Sequence, residues 1–352
     1  MDKANEMVSE LVAETDVGVI GELNATEANN TTVEEETKEM TAAEKRAAER
    51  KARELRVKDL RERKAREDAK AREEAKAREE AKARKKEDAE NVKAEKTAYD
   101  FVLAARSKDR LTSLDYIKGI FTDFIELHGD RRFADDPAIV GGVAYLGDIP
   151  FTIVATEKGR DTKSRVKRNF GTPNPEGYRK SLRLMKQAEK FNRPIVCFVD
   201  TAGAFCGIGA EERGQGQAIA ENLLTMSALE TPILTILIGE GGSGGALALA
   251  VADEVWILEN AVYSVISPEG CANILWREPD KAPEAAQSLK LTSQSIGELG
   301  IVEKVIPEES KNPEKFLSEL SEQIEKWYEG IKALSPEELT QRRYERYRKF
   351  GL

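Results

Sequence analysis

The sequence predicts an α/β fold of stacked ββα units, preceded by a long charged helix. Three observations carry that expectation. From Ala138 onward, apolar strands alternate with helical segments, the order typical of α/β proteins. Two of those strands run into glycine turns that open onto small-residue helices, at residues 200–215 and 239–246. Between Thr41 and Lys118 there is neither Gly nor Pro, so nothing in that stretch stops a helix.

In chain order, residues 1–40 carry eleven acids against Lys3 and Lys38 and few large apolar side chains, which reads as an acidic flexible tail. Its nine net negative charges equal the −9 of the whole chain, so the other residues are balanced. A nucleic-acid binder would carry a basic excess on its folded domain, and none is present. Residues 41–95 read as a single charged helix. Thr41-Ala42-Ala43-Glu44 is a capping box, and a six-residue repeat starts at Ala65, Ala71 and Ala77. The repeat sets Asp68 with Arg72, Glu74 with Arg78 and Glu80 with Arg84 at i,i+4, each pair adding ~0.2–0.5 kcal/mol. No apolar heptad runs through it, so it suits a spacer or solubilising arm, with a docking arm as the alternative, and not a coiled coil.

The folded domain, residues 96–352, opens with Leu103, Leu111, Leu114, Tyr116, Ile117, Ile120, Phe121, Phe124 and Ile125 at helical spacing. His128, the one histidine, falls just past that helix and reads as a surface or structural residue. Strands are expected at 138–146 and 150–156, joined at Gly147-Asp148, followed by a helix at 177–191. Then come a buried strand at 194–199, a helix at 211–229, a strand at 233–238, a helix at 244–251, and strands at 255–258 and 262–266. Strand pairs ahead of single helices favour stacked ββα units over a plain doubly wound sheet. Between the first strands and the first helix, residues 158–171 hold six cations in fourteen positions. That segment is either a solvated loop or a landing site for phosphate or carboxylate, with Arg160, Lys163 and Arg168 as its candidate ligands.

The turn Gly239-Glu240-Gly241-Gly242-Ser243-Gly244-Gly245-Ala246 is the centre of the functional reading. Its glycines let backbone approach a ligand, and the first amides of the following helix are left without partners. Gly239-x-Gly241-x-x-Gly244 fits a dinucleotide fingerprint, with Glu259 placed as the ribose-binding acid. Gly241-x-Ser243-x-Gly245 fits a nucleophile elbow, but the only histidine precedes the serine. The third reading, favoured here, is an oxyanion hole of backbone amides. The second turn, Asp200-Thr201-Ala202-Gly203-Ala204-Phe205-Cys206-Gly207, has the same grammar, and two such turns on adjacent parallel strands would lie side by side. Cys197, Cys206 and Cys271 are too widely spaced for a paired metal motif, so no metal is expected. With no secretory signal and no apolar run near ~20 residues, a reducing cytoplasm fits.

These two turns, the segment Tyr263-Ser264-Val265-Ile266-Ser267-Pro268-Glu269-Gly270, and residues 158–180 together resemble the alpha subunit of bacterial acetyl-CoA carboxylase carboxyltransferase. The likeness runs from about Leu111 to the C-terminus and leaves the tail and charged helix outside it. It implies a crotonase/ClpP-like fold of stacked ββα units. It also implies a complex, ATP-dependent as a whole, of two alpha and two zinc-binding beta subunits with biotin carboxylase and the biotin carboxyl carrier protein. That complex passes a carboxyl group from carboxybiotin to acetyl-CoA and makes malonyl-CoA, the first committed step of fatty-acid synthesis. By resemblance Gly244 and Gly245 are the catalytic oxyanion donors. Gly241, Gly242, Gly203 and Ala204 contact substrate, and this chain holds no cofactor of its own. The family usually has Pro, Tyr and Pro where this chain has Ala202, Phe205 and Cys206, so the second turn should be less rigid and lacks a hydroxyl. A divergent paralogue acting on another acyl-CoA, a hydratase-like enzyme of the same fold and an NAD-binding enzyme are the alternatives.

Overall fold

The computed structural model describes residues 96–308 and 312–351. The acidic tail and charged helix expected over residues 1–95 lie outside the described residues. Helices α1 (Ala98–Ala105) and α2 (Ser113–Ile120) each open on a capping box, Thr97 with Asp100 and Thr112 with Asp115. The apolar run expected to be one helix up to Ile125 is therefore divided. Its last part is extended as β1 (Thr122–Glu126), a strand the helical spacing concealed. β1 finds its backbone partners on the edge of β2 (Ile139–Leu146), antiparallel, with an irregular register between Thr122 and Ile125 where Asp123 sits at φ 53°. Pairing with that edge satisfies N–H and C=O groups that further helix would also have satisfied; tertiary contact decides between them.

β2 and β3 (Ile149–Thr156) form the expected hairpin, with Gly147 at φ 57° in the left-handed conformation a two-residue loop needs. The basic segment that follows is not a plain loop. It contains a short helix, α3 (Thr162–Lys167), capped by Asp161, and a 3-10 turn at Asn169–Gly171. α4 (Pro175–Lys190) starts with Pro at its first turn and buries Tyr178, Leu182, Met185 and Ala188 along one stripe. After β4 (Ile195–Thr201), the single helix expected at 211–229 is two, α5 (Ile208–Glu212) and α6 (Gln215–Ala228), because Gly214 at φ 81° breaks the run.

β5 (Ile233–Gly242) is four residues longer than expected, and α7 (Ser243–Leu247) starts one residue early and ends four residues early. The extension exists because Glu240, Gly241 and Gly242 gain a parallel partner in β7 (Val262–Ser264), while residues 234–237 pair with β6 (Glu254–Leu258). Helices α8 (Pro268–Trp276), α9 (Ala282–Leu289) and α10 (Ser293–Glu298), strand β8 (Lys304–Ile306), and helices α11 (Pro313–Ile331) and α12 (Pro336–Arg348) complete the domain. The sheet order is β1-β2-β3-β4-β5-β6-β8, with β7 on the far end of β5. From β3 to β8 the pairing is parallel.

All seven residues of β4 are buried, as a central parallel strand covered on both faces requires. α4 packs over β2, β3 and α6, while α2, backed by α11, packs over β1, β3 and β4. Tyr116, Phe121, Phe151, Phe198, Phe316 and Tyr328 form a continuous aromatic cluster there, with Tyr116 stacked on Phe198 at 5.5 Å. No helix among the described residues is long and apolar enough to cross a membrane.

The C-terminal helix is fastened by a buried charge. Arg343 binds both carboxylate oxygens of Asp253 at 3.0 Å and donates to the carbonyls of Met226, Leu229 and Thr231. Asp253 in turn accepts the Ile233 N–H at 2.8 Å, so one guanidinium joins α12, the end of α6 and the entry to β5. Arg343→Met would leave a buried carboxylate without its counter-charge and remove the donor to three carbonyls. A loss of about 3–5 kcal/mol in urea unfolding is expected; a loss below about 1 kcal/mol would mean that α12 is held by its apolar contacts alone.

Candidate active site

β4 and β5 are parallel neighbours, so their glycine turns emerge side by side, with Thr201 paired to Gly241. The contact is backbone on backbone. A side-chain carbon added at Gly242 would fall 2.1 Å from the Ala202 carbonyl oxygen. One at Gly245 would fall 2.4 Å from the Ala204 nitrogen and 2.6 Å from the Gly203 carbonyl carbon. Glycine at 242 and 245 is what lets the two turns touch. Gly241 backs onto Tyr263 and the Val262 carbonyl, and Gly239 leaves room for the Arg110–Asp200 pair. Gly244 differs from them all, since a carbon there would meet only Ile219 Cγ2 at 3.9 Å. It is the least crowded of them, with only that ordinary contact.

The left-handed residue of the turn is Ser243, at φ 52°, and not Gly244 or Gly245. A non-glycine residue held there costs ~1–3 kcal/mol and persists only where its surroundings fix it. α7 then begins directly, with Gly242 as a cap that offers no side chain. Its first N–H groups, Gly244 and Gly245 among them, have no carbonyl one turn back to bind. Directed at one point, such amides stabilise a developing oxyanion. Tyr178 steadies the turn from behind by donating its hydroxyl to the Gly245 carbonyl at 3.3 Å.

Two competing readings lack their partners. The Ser243 hydroxyl makes no hydrogen bond among the described residues, and His128 is an exposed residue bound to Asp135 at 3.0 Å. The Glu259 carboxylate, needed for a ribose, accepts the Glu308 N–H at 3.2 Å.

A charged cluster lies behind the glycine turns. Glu240 accepts Arg106 Nε at 2.7 Å on one oxygen and the Lys158 ammonium on the other, and its own N–H donates to Asp200 Oδ1 at 3.1 Å. Asp200 also pairs with Arg110, which donates to the Ile238 carbonyl at 3.0 Å. Burial opposes ionisation of Asp200, but Arg110 and Lys158 outweigh it and hold its pKa below the ordinary carboxylate value. Arg106 reaches on to Glu269 at the start of α8, at 2.6 and 3.2 Å. The sequence reading assigned none of Arg106, Arg110, Asp200, Glu240 or Glu269 a role. The only signal available was an acid set among glycines at Glu240.

The basic segment is pinned at its base beside the second turn, where a carbon on Gly171 would lie 3.0 Å from the Asp200 carbonyl and 3.1 Å from Lys158 Cα. Of its three candidate ligands, Arg160 pairs with Asp115 at 2.6 Å and Arg168 donates to the Pro137 carbonyl at 2.8 Å. Lys163 is exposed and has no partner among the described residues. The structure thus brings Gly203, Ala204, Gly241, Gly242, Gly244 and Gly245 together. It ties the two arginines to the scaffold.

Paired glycine turns on a crotonase-like α/β frame define a carboxyltransferase fold. Two solved structures share it: a transcarboxylase 12S chain, at TM-score 0.52 and 21% identity over 65% of this chain and 44% of that one, and a malonate decarboxylase hetero-dimer from Pseudomonas, at TM-score 0.50 and 18% identity over 60% and 88%. This chain therefore spans less than half of the transcarboxylase chain. The family model "Acetyl co-enzyme A carboxylase carboxyltransferase-like" matches residues 25–351, and the chain belongs to that family as a carboxyltransferase alpha subunit. The "Acetyl-coenzyme A carboxylase carboxyl transferase subunit alpha" of Ruminiclostridium cellulolyticum is 60% identical over 260 residues, 73% of this chain and 98% of that one. The "subunits beta/alpha" protein of Natranaerobius thermophilus is 56% identical over 72% of this chain and 43% of its own. The family match starts well before Leu111, so the boundary drawn from the motifs alone was too late.

If backbone amides do the chemistry, the Ser243 hydroxyl is dispensable. In the assembled enzyme Ser243→Ala should keep kcat within about threefold, whereas loss of a catalytic nucleophile costs ~10⁴ or more. A fall of that size would restore the elbow reading.

Proposed function

We propose that this chain supplies the carboxybiotin side of an acetyl-CoA carboxyltransferase. Gly244 and Gly245 act as amide donors to the ureido oxygen, while Gly241, Gly242, Gly203 and Ala204 shape the surface the substrates meet. The observation that carries the reading is the contact of the two turns beside the start of α7, where the Gly244 and Gly245 amides have no helical partner. As carboxybiotin releases CO2, the N–CO2 bond breaks and its electron pair passes onto the ureido nitrogen and oxygen. That nitrogen takes a proton from the methyl group of acetyl-CoA, and the resulting carbanion attacks CO2 to give malonyl-CoA. Substrate thus supplies its own base, and the protein supplies charge stabilisation at fixed positions. Lys163 stands ready for an anionic group, with Arg160 and Arg168 able to join it only by leaving Asp115 and Pro137.

The further assembly follows the family: a zinc-binding beta subunit, the biotin carboxyl carrier protein and biotin carboxylase, with two alpha and two beta subunits in the transferase, in the cytoplasm. That a related protein carries beta and alpha in one chain supports the pairing. Residues 1–40 are a tail and 41–95 a spacer, and neither takes part in chemistry.

Gly244 is the clean site for a test, because its φ is ordinary and an added carbon would meet only Ile219, at ordinary contact distance. Gly245 is not, because any side chain there strikes the second turn. Gly244→Val with the beta subunit should keep fold and assembly and lose ~10²–10³ or more in kcat for malonyl-CoA formation. Normal turnover by a folded, assembled variant would refute the oxyanion assignment.

The alpha chain alone should not decarboxylate malonyl-CoA with biocytin as acceptor, and adding the beta subunit should restore the reaction. Turnover by the isolated chain would overturn the shared site. Removing residues 1–95 should leave kcat of the complex within about twofold, since no transition-state contact is lost.

A further inference from the structure

A turn made of glycines has no side chains with which to fix its own position. In this chain that work falls to the one charged residue inside it. Both carboxylate oxygens of Glu240 are held, one by Arg106 at the end of α1 and the other by Lys158 just past β3. The Glu240 side chain is only 10% exposed, so these pairs are largely withdrawn from solvent. Arg106 also spans to Glu269, which belongs to the first turn of α8. α8 and the glycine turn are the two walls of a narrow cleft bounded by Ala202, Gly241, Gly242, Ser264, Ile266 and Pro268. The guanidinium is therefore a strut between those walls. Its Nε edge binds one and its terminal nitrogens bind the other, a division a lysine ammonium cannot reproduce.

The strut matters because Gly244 and Gly245 lie four and five residues beyond Glu240, with the strained Ser243 between. Freed from Glu240, the turn has a route to relax Ser243 and carry the amides away from their target. A displacement of ~1 Å is enough to cost ~10² in rate. Building on the reading of Gly244 and Gly245 as oxyanion donors, we infer that Arg106 is a positioning residue for the transfer. It acts through Glu240 and Glu269 to set the glycine turn at a fixed distance from α8. Arg106 and Glu240 themselves line the cleft beside Gly241 and Gly242, and the role assigned to Arg106 is to hold the turn.

The test uses full-length chain assembled with its beta subunit and compares Arg106→Met, Arg106→Lys, Glu240→Gln and the double variant Arg106→Met/Glu240→Gln. In Arg106→Met, kcat should fall ~10–100-fold with KM for the acyl-CoA within about twofold. Arg106→Lys should fall between that and the parent. Because the two residues act as one device, the double variant should be no slower than the slower single variant. A merely structural ion pair would instead lower the melting midpoint or the assembled fraction while leaving kcat per assembled complex unchanged; that result, or single effects that multiply in the double variant, would overturn the inference. If Arg106→Met does not assemble, Arg106→Lys against Glu240→Gln decides by the same kcat and KM readings. Gly244→Val, run alongside, separates the two levels. Normal turnover there defeats the oxyanion reading itself, whereas an inactive Gly244→Val beside an unimpaired Arg106→Met defeats only the strut.

Discussion

The site depends on one steric condition, the approach of the β5 turn to the β4 turn at the distance of two bare backbones. At Gly242 and Gly245 even a methyl group would overlap atoms of residues 202–204. Because β4 and β5 are parallel neighbours, their ends are delivered to the same place, with a shift of register between Val199 and Thr201 just ahead of the turns. The glycines then decide whether that proximity becomes contact. Contact gives the turns a fixed shape, with the first amides of α7 left without helical partners beside it.

Such a site puts an unusual demand on its surroundings. Glycine turns are conformationally loose, so the stiffness a catalytic geometry needs has to come from outside them. Here it comes from Tyr178 beneath Gly245, from the Asp200 carboxylate that accepts the Glu240 N–H, and from the cations around both acids. The charges in this cluster balance, with Arg106, Arg110 and Lys158 facing Asp200, Glu240 and Glu269. A balanced, hydrogen-bonded cluster is one of the few ways to keep several charges in a partly buried position without a large desolvation penalty. The polar side chains at this site hold the backbone of the turns.

The rest of the domain serves the same end. β5 is extended past its apolar stretch because β7 pairs with Glu240–Gly242, and Gly241 is paired on both sides. The aromatic cluster under β4 and the Arg343–Asp253 fastening of α12 keep the strands that deliver both turns from shifting. α1, which carries Arg106 at its end, packs on β5, β7 and α9.

Much of this was legible in the sequence because it depends on local patterns. The alternation of apolar strands and helices set the α/β class. The glycines at 203, 241, 242, 244 and 245 marked the two turns, and the motifs around them marked the family. Gly147-Asp148 fixed the hairpin, since few residues other than glycine accept its backbone conformation. What the sequence could not decide were features that rest on partners distant along the chain. Phe124 and Ile125 fit a helix by spacing but lie in a strand because the β2 edge is free to pair. The glycines all look alike in sequence, and only the packed turns separate Gly242 and Gly245, where a side chain would strike the second turn, from Gly244, where it would meet only Ile219 at contact distance. Arg106 and Glu240, 134 residues apart, share no local pattern, and their pairing exists only because α1 folds back across the end of β5. A sequence records which groups are available; which of them meet is settled by the free energy of packing the whole chain.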